Sequence, residues 1–101
     1  MSARQGETIS NMKEREVTVG HRLGLHARAA ARLVQLSTQF QCTIVLFRAD
    51  PANAASPAEA DARSILSILL LSAGYGTKIS VRADGADEDE AVNSICEYLA
   101  G

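Results

Sequence analysis

The amino-acid sequence predicts a single small domain of the α+β class, in which an antiparallel sheet carries helices on one side. Hydropathy patterns occur along the chain in the order β-α-β-β-α-β-α. The clearest strand pattern alternates polar and apolar residues, which is typical of a sheet with one covered face. The 101 residues are 47% hydrophobic, which is enough for one core of modest size.

Charge and composition argue against several classes of function. The formal net charge is −2, whereas a general nucleic-acid-binding domain is usually basic, so we expect no nucleic-acid partner. No run is long and apolar enough to cross a bilayer, and the first residues, MSARQGETISNMKERE, lack the apolar centre of a secretion signal. We therefore expect a cytoplasmic protein without membrane insertion. Cys42 and Cys96 have no metal-like spacing and are predicted to be free thiols.

The chain is predicted to begin with a tail and a short strand. Residues 1–14 are polar and show no periodicity, so we expect a flexible N-terminal tail. Residues 15–101 are then expected to form the domain. Val17 and Val19 flank a threonine, and this period-two alternation predicts the first strand.

A helix, a strand, a loop and a weak strand are predicted next. The helix begins at Ala27, because apolar or small residues recur on one face of it: Ala30, Leu33, Val34, Ser37 and Phe40. The β-branched and aromatic residues 43–47 predict the second strand. Two prolines and small polar residues at 49–58 predict a loop, and residues 59–63 a short, weak strand.

The last third of the chain is predicted to form a helix, a strand and a final helix. Residues 64–72 are expected to be helical and to stop near Gly74. Residues 78–84 alternate cleanly and predict the best strand of the chain. Asp87 is expected to cap the final helix through its carboxylate, with a buried stripe of Val92, Ile95, Cys96 and Leu99. Capping and the helix dipole account for the acidic run 88–90, so we predict no metal site there.

The stretch GLHARAAA, residues 24–31, contains the main candidate for chemistry. If His26 is the last residue before the helix, the N–H groups of Ala27, Arg28 and Ala29 have no intrahelical partners and form a receptor for a phosphate group. The Arg28 guanidinium adds a cationic clamp. A helix N-terminus disfavours the imidazolium form, so we expect a neutral, nucleophilic His26. The set suits a histidine that carries a phosphoryl group, but the residues alone also fit an ordinary capping histidine.

The segment SILSILLL, residues 64–71, contains the second candidate site. A short helix on a sheet buries one stripe, so some of Ile65, Leu66, Leu69 and Leu70 should face outward. Exposed apolar surface of this kind is typical of a docking patch, although a covering loop or tail would also account for it. Ser64 is expected to be the N-cap, a role that is compatible with regulatory phosphorylation.

Three segments resemble the HPr family, the histidine-containing phosphocarriers of the bacterial phosphoenolpyruvate-dependent phosphotransferase system. GLHARAAA resembles the family's active-site signature GLHARPA. DARSILSILLL resembles its regulatory serine segment, and ADGADEDEAV resembles the entry to its last helix. The resemblance runs in order from about residue 15 to residue 100.

The resemblance implies an open-faced β-sandwich, a four-stranded antiparallel sheet covered on one face by three helices. It implies that His26 accepts a phosphoryl group from phospho-enzyme I and passes it to an A-type domain of an enzyme II or a related acceptor, while Arg28 steadies the group. Ser64 matches the serine that an HPr kinase/phosphorylase modifies in some lineages. The implied docking residues are Ala27, Ala31, Ile65, Leu66 and Leu69. A carrier of this kind, rather than a stand-alone enzyme, needs no cofactor or metal, and we expect a monomer.

Two departures from the family pattern stand out. Ala29 replaces the usual proline, which should leave the anion site intact with a less rigid first turn. The loop around residues 51–57 is longer than usual, which leaves the alignment of the third strand open.

The alternative function is an HPr-like regulatory module that binds proteins and is switched at Ser64, but the presence of His26 with Arg28 counts against it. An unrelated small binding domain would leave that pair unexplained. The sequence does not choose between sugar uptake and the nitrogen-related branch of the system.

Overall fold

The structure, a computed structural model, describes residues 12–49 and 58–101. The predicted tail up to residue 11 and most of the predicted loop at 49–58 lie outside the described residues. Within the described part, the chain forms four strands and three helices. In chain order these are β1 Met12–Thr18, α1 Ala27–Ser37, β2 Cys42–Arg48, β3 Glu59–Asp61, α2 Ile65–Leu70, β4 Lys78–Gly85 and α3 Glu88–Ala100.

The four strands form one sheet in the order β1-β4-β2-β3, and every neighbouring pair is antiparallel. The central strand β4 pairs with β1 on one side, where Val17 faces Ile79. On its other side it pairs with β2, where Leu46 faces Val81. The predicted α+β architecture, with an antiparallel sheet, is confirmed.

The core lies between one face of the sheet and the helices. Alternate residues of β2 and β4 point into it and are inaccessible to solvent, as the predicted alternation requires: Ile44, Leu46, Ile79, Val81 and Ala83. The helices contribute the fully buried Leu33, Ile68, Ile95 and Leu99. Burying each of the larger side chains stabilises the fold by roughly 1.5–3 kcal/mol. The predicted apolar stripe of α3 is confirmed.

Strand β1 begins earlier than the sequence predicts. Met12 pairs with Asp84 and Glu14 with Arg82, so residues 12–14, which were predicted to be in the tail, are part of the strand. These residues are exposed, and the ladder of backbone hydrogen bonds to β4 holds them in place. An edge strand of this kind lacks the apolar alternation by which a strand is recognised in a sequence.

Two arginines from distant positions satisfy the ends of the first two helices. The Arg63 guanidinium donates to the carbonyl oxygens of Ser37, at 3.0 Å, and Phe40, at 2.8 Å, just past α1. Arg48 donates to the carbonyl oxygen of Leu71 at 3.2 Å and also to that of Ser72. Helix α2 is shorter than predicted because Ser72, rather than a glycine, takes the left-handed conformation, with φ of 56°.

The start of α3 differs from the predicted capping arrangement. Asp87 occupies the N-cap position, but its carboxylate makes no hydrogen bond to its own helix. Both carboxylate oxygens instead accept from the backbone N–H of Gln41, at 2.9 and 3.0 Å. The neighbouring Glu88 is buried and accepts from the N–H of Gly85 at 3.0 Å. The acidic residues here therefore join the helix to the preceding strands, a long-range role that a local motif does not reveal.

Candidate functional site

His26 is the N-cap of α1, and the helix begins at Ala27 as predicted. Its backbone is extended, with φ −76° and ψ −179°, and the imidazole turns back over the first turn. The backbone N–H of Arg28 donates to Nδ1 of His26 at 3.2 Å. A backbone amide only donates, so Nδ1 is the unprotonated nitrogen and its lone pair lies at the positive end of the helix.

The first turn of α1 has the donors of an anion site. The N–H groups of Ala27 and Ala29 donate to no other described residue, as expected for the start of a helix. The first backbone bond of the helix runs from the Ala30 N–H to the His26 carbonyl at 2.8 Å. The predicted backbone groups of residues 27–29 are thus brought together beside Nδ1, with the Arg28 N–H already directed at the imidazole.

A shallow depression of about 540 Å³ opens on this end of α1. The lining contains both histidines of the chain and the two arginines of α1, and the described residues contribute no carboxylate to it. The lining residues are His21, His26, Arg28, Ala29, Ala31, Arg32, Gln35 and Tyr98. The arginines lie one helical turn apart, so both guanidinium groups contribute positive potential on the same side of α1. The depression suits a small anion better than an apolar ligand.

Gly24 shapes the turn that leads to His26 and has a role inside the fold. Its φ is +73°, a left-handed conformation, and an added Cβ would lie 2.9 Å from the Ala73 carbonyl oxygen. The next residue, Leu25, donates to the same oxygen at 2.9 Å. Gly24 is buried, and its lack of a side chain allows the loop to pack against residues 73–74.

The predicted apolar patch on α2 is exposed. Ile65, Leu66, Leu69 and Leu70 are 42, 67, 37 and 52% accessible, whereas Ile68 is fully buried. Helix α2 packs against α1, which presents the other two implied docking residues: Ala27 is exposed and Ala31 half-buried. The structure also exposes Leu23 and Tyr75, which sequence analysis did not single out because neither belongs to a periodic pattern.

Ser64 is the N-cap of α2, as predicted. Its hydroxyl oxygen accepts from the N–H of Ser67 at 3.2 Å, and its carbonyl accepts from Ile68 at 3.0 Å. The side chain is half-buried and directly precedes the exposed Ile65 and Leu66. A charge added at this hydroxyl would lie next to the apolar patch.

The two cysteines do not compete with His26 as nucleophiles. Both are free thiols, as predicted, and both are buried. Burial, assisted by the adjacent Asp87 carboxylate, raises the pKa of the Cys42 thiol to about 11, and burial likewise raises the pKa of Cys96. Both are therefore neutral thiols at physiological pH. No group of three or more histidine, cysteine or acidic side chains within residues 12–49 and 58–101 could hold a metal ion.

Comparison with known proteins agrees with this fold. The family model described as "PTS HPr component phosphorylation site" matches residues 13–101. A phosphocarrier protein HPr of Xylella fastidiosa is 43% identical over 88 residues, which are 87% of this chain and 91% of the relative. The crystal structure of an HPr from Bacillus anthracis superposes with a TM-score of 0.78 at 29% identity, covering 88% of this chain and 98% of that one.

A further solved relative is Crh, a catabolite-repression protein of Bacillus subtilis that is described as a domain-swapped dimer. It has a TM-score of 0.62 at 29% identity and covers 84% of this chain and 90% of that one. The four-stranded antiparallel open sheet with three helices on one face is therefore shared with solved HPr structures. The open-faced sandwich that the sequence resemblance implied is confirmed.

The fold, together with these matches, defines a small phosphocarrier protein. The chain belongs to the HPr family, and its role is that of a phosphocarrier in the phosphotransferase system. Family membership implies partners of that system, such as enzyme I and enzyme II. The alternative of a purely regulatory binding module is not favoured.

Proposed function

We propose that His26 carries the phosphoryl group on Nδ1. The main support for this proposal is the hydrogen bond from the Arg28 N–H to Nδ1, which indicates an unprotonated nitrogen at the positive end of α1. The Nδ1 lone pair attacks phosphorus as the bond from phosphorus to the donor's leaving atom breaks, and that atom keeps the electron pair. Transfer to the acceptor is the same step in the opposite direction.

The first turn of α1 stabilises the charge of the bound phosphoryl group. The N–H groups of Ala27 and Ala29 are available to its oxygens. Once the N–P bond forms, Nδ1 no longer accepts a hydrogen bond, and the Arg28 N–H donates to a phosphoryl oxygen instead. The Arg28 guanidinium, which lines the same depression, adds a charge-assisted clamp. No cofactor or metal is needed, because the group is carried covalently.

Incubation with phosphoenolpyruvate and enzyme I, followed by intact-mass measurement, tests the proposal. We expect one added phosphoryl group that is lost in acid, as is typical of an N–P bond. ³¹P–¹⁵N coupling then reports which ring nitrogen carries it. Labelling at Nε2, or no mass gain from an active enzyme I, would contradict the proposal.

Arg28→Ala is expected to slow phosphoryl transfer by about tenfold or more, because the transition-state charge loses a cationic partner. Arg28→Lys should transfer at a rate between those of the wild type and Arg28→Ala, since an ammonium group keeps the charge but not the bidentate geometry. Arg32→Ala is the matched control: it removes the same charge one turn further from His26, and less than about a threefold change is expected. Rapid-quench kinetics with phospho-enzyme I provide the measurement. Equal rates for Arg28→Ala and Arg32→Ala would show that no specific clamp exists.

We further propose that phospho-enzyme I is the donor and that an A-type domain of an enzyme II, or a related acceptor, receives the group. The proposed docking surface consists of Ala27, Ala31, Ile65, Leu66 and Leu69. It is supported by the exposed apolar face of α2 beside the positively charged end of α1. One surface of this kind would serve both partners in turn, since donor and acceptor must each reach the same imidazole.

Leu66→Ser is expected to raise the KM for enzyme I by about tenfold, since a largely exposed leucine that becomes buried at an interface contributes roughly 1.5 kcal/mol. The rate at saturating enzyme I and the unfolding midpoint should not change, because the side chain is 67% accessible in the free protein. Met12→Ser is the control: Met12 is also exposed but lies on β1, at the sheet edge opposite β3 and α2. An unchanged KM for Leu66→Ser would remove this residue from the docking surface.

Ser64 is the proposed site of regulatory phosphorylation by an HPr kinase/phosphorylase. A phosphate on this hydroxyl is expected to weaken enzyme I binding by about tenfold or more, because a dianion must be desolvated against apolar surface. Ser64→Asp should act in the same direction. Ser80→Asp, on the outer face of β4, is the charge-matched control. Calorimetric titration with enzyme I that shows equal affinities would contradict this role.

We propose that the chain acts as a monomer in the cytoplasm. Two unbridged thiols favour a reducing compartment. Among the described residues, no helix has the length and apolarity needed to span a bilayer. The division into a tail at 1–14 and a domain at 15–101 stays a prediction, and the pairing of residues 12–14 favours a slightly earlier boundary.

A further inference from the structure

The last turns of α3 hold both sides of the segment that carries His26. On the side that precedes His26, the His21 ring and the Tyr98 carbonyl oxygen form a hydrogen bond, with Nε2 at 2.6 Å. On the side that follows, the Tyr98 hydroxyl donates to the carbonyl oxygen of Ala29, in the first turn of α1, at 3.2 Å. One residue of α3 therefore contacts residues five positions before and three positions after the imidazole.

The chemistry of each bond defines its direction. A carbonyl oxygen only accepts, so the proton lies on Nε2 of His21. The Tyr98 carbonyl lies in the last turn of α3, where it also accepts from the Gly101 N–H at 3.2 Å, and imidazole donors are favourable at this end of a helix. The phenolic hydroxyl likewise has to be the donor to Ala29, whose carbonyl has a second lone pair besides the one used within α1.

Ring and backbone contacts make this connection rigid. The His21 and Tyr98 rings lie 4.8 Å apart at 48°. Gly20 donates to the Leu99 carbonyl oxygen at 2.8 Å, and its α-carbon approaches the Ala100 carbonyl so closely that an added Cβ would lie 1.8 Å from the oxygen. Together with the His21–Tyr98 hydrogen bond, the segment before α1 thus has four contacts with the end of α3.

Apart from Tyr98, this end of α1 is held by the bond from Leu25 to the Ala73 carbonyl and by the burial of Ala29 and Ala30. Terminal turns of helices fray readily, and the bond from Tyr98 adds a direct contact to the backbone of the first turn. The orientation of the N–H groups in this turn determines whether Nδ1 and the anion donors converge on one phosphorus atom. A misplacement of about 1 Å in such a site costs up to about a hundredfold in rate.

We infer that Tyr98, supported by His21, is a positioning residue for phosphoryl transfer at His26. Tyr98 does not touch the transferred group; it acts by fixing the first turn of α1 and the segment before it, so that Nδ1 and the helix N–H groups hold the transfer geometry. This inference rests on the proposed role of His26 as the phosphoryl acceptor.

Tyr98→Phe tests the inference, because it removes one hydroxyl and keeps the ring. We expect the rate of transfer at saturating phospho-enzyme I to fall about three- to tenfold, in line with one lost hydrogen bond, while the KM stays within about twofold. Tyr75→Phe is the matched control: it makes the same chemical change in an exposed tyrosine that has no hydrogen bond to a described residue, and it should leave both constants unchanged. A wild-type rate for Tyr98→Phe, or an effect on KM alone, would overturn the positioning role.

NMR of the unphosphorylated protein gives a readout that needs no partner. In Tyr98→Phe we expect the ring ¹⁵N shifts of His26 to move and the Ala30 amide, bonded to the His26 carbonyl, to exchange about three- to tenfold faster. Amides of the central strand β4 should keep their exchange rates. His21→Phe, which keeps a ring against Tyr98 but lacks the donor, is expected to shift the same His26 signals. Unchanged His26 signals in both variants would contradict the inference.

The two sets of measurements separate this inference from the proposed function. If the wild type is labelled and Tyr98→Phe reaches the same rate, Tyr98 has no positioning role and His26 remains the acceptor. If the wild type takes up no phosphoryl group, the proposed function is wrong. The NMR comparison is independent of that result, and unchanged His26 signals in Tyr98→Phe and His21→Phe would reject the positioning role.

Discussion

His26→Ala is expected to abolish phosphoryl uptake from phospho-enzyme I. The substitution removes the imidazole at the N-cap of α1, whose Nδ1 lone pair is the proposed nucleophile, and the N–H groups and Arg28 that remain can bind a phosphate but form no covalent bond to it. Intact mass after prolonged incubation with phosphoenolpyruvate and enzyme I should show no addition. A variant that is labelled as well as the wild type would show that the phosphoryl group is carried elsewhere.

The matched control for His26→Ala is the other histidine. His21→Ala should still take up one phosphoryl group on prolonged incubation, because it leaves Nδ1 of His26 in place, although transfer should be slower. Loss of the N-cap costs His26→Ala about 1 kcal/mol of stability, which is too little to unfold a typical domain. Circular dichroism spectra that match the wild type would confirm that the loss of labelling is chemical.

Gly20→Ala is expected to lower the free energy of unfolding by about 2–3 kcal/mol, through overpacking at a backbone contact. The new Cβ would lie 1.8 Å from the Ala100 carbonyl oxygen and 2.7 Å from its carbon. Since a carbonyl on a helix backbone has no rotamer to change, the segment must move away from α3 and lose its bond to Leu99. Urea unfolding followed by circular dichroism measures the effect.

Gly74→Ala is the control for Gly20→Ala. Apart from its two chain neighbours, no atom of the described residues lies within 4 Å of the Cβ that this substitution would add, and Gly74 has no left-handed backbone conformation. We therefore expect an unchanged or slightly higher stability, with a gain of at most about 1 kcal/mol from the less flexible unfolded chain. Equal unfolding midpoints for the two alanine variants would show that the contact between Gly20 and α3 is not tight in solution.

Local patterns sufficed for the order of the elements and for the position of His26. Alternation in β4, helical spacing in α1 and the N-cap positions of His26 and Ser64 are all determined by residues close in sequence. The start of β1 could not be predicted in this way, because Met12 is held by pairing with Asp84 and its neighbours are exposed. Strands that depend on a distant partner carry little signal of their own.

The contacts that support the site were also beyond the reach of sequence spacing. His21 and Tyr98 are 77 residues apart, and neither belongs to a recognised motif. Asp87 was expected to cap its own helix but binds the backbone of Gln41. Arg63 had no predicted role, although it satisfies two carbonyl groups past the end of α1. In each case, tertiary packing determines the partner of a polar group whose residue type alone allows several partners.

The strand order has a consequence for folding of the chain. β1 and β2 are not neighbours; both pair with β4, which comes near the end of the sequence. Until residues 78–85 are available, β1 has no partner strand, and β2 can pair only with the three-residue strand β3. The sheet should therefore assemble around β4 as a late step of folding, since the pairing of β1 with β4 joins residues far apart in sequence.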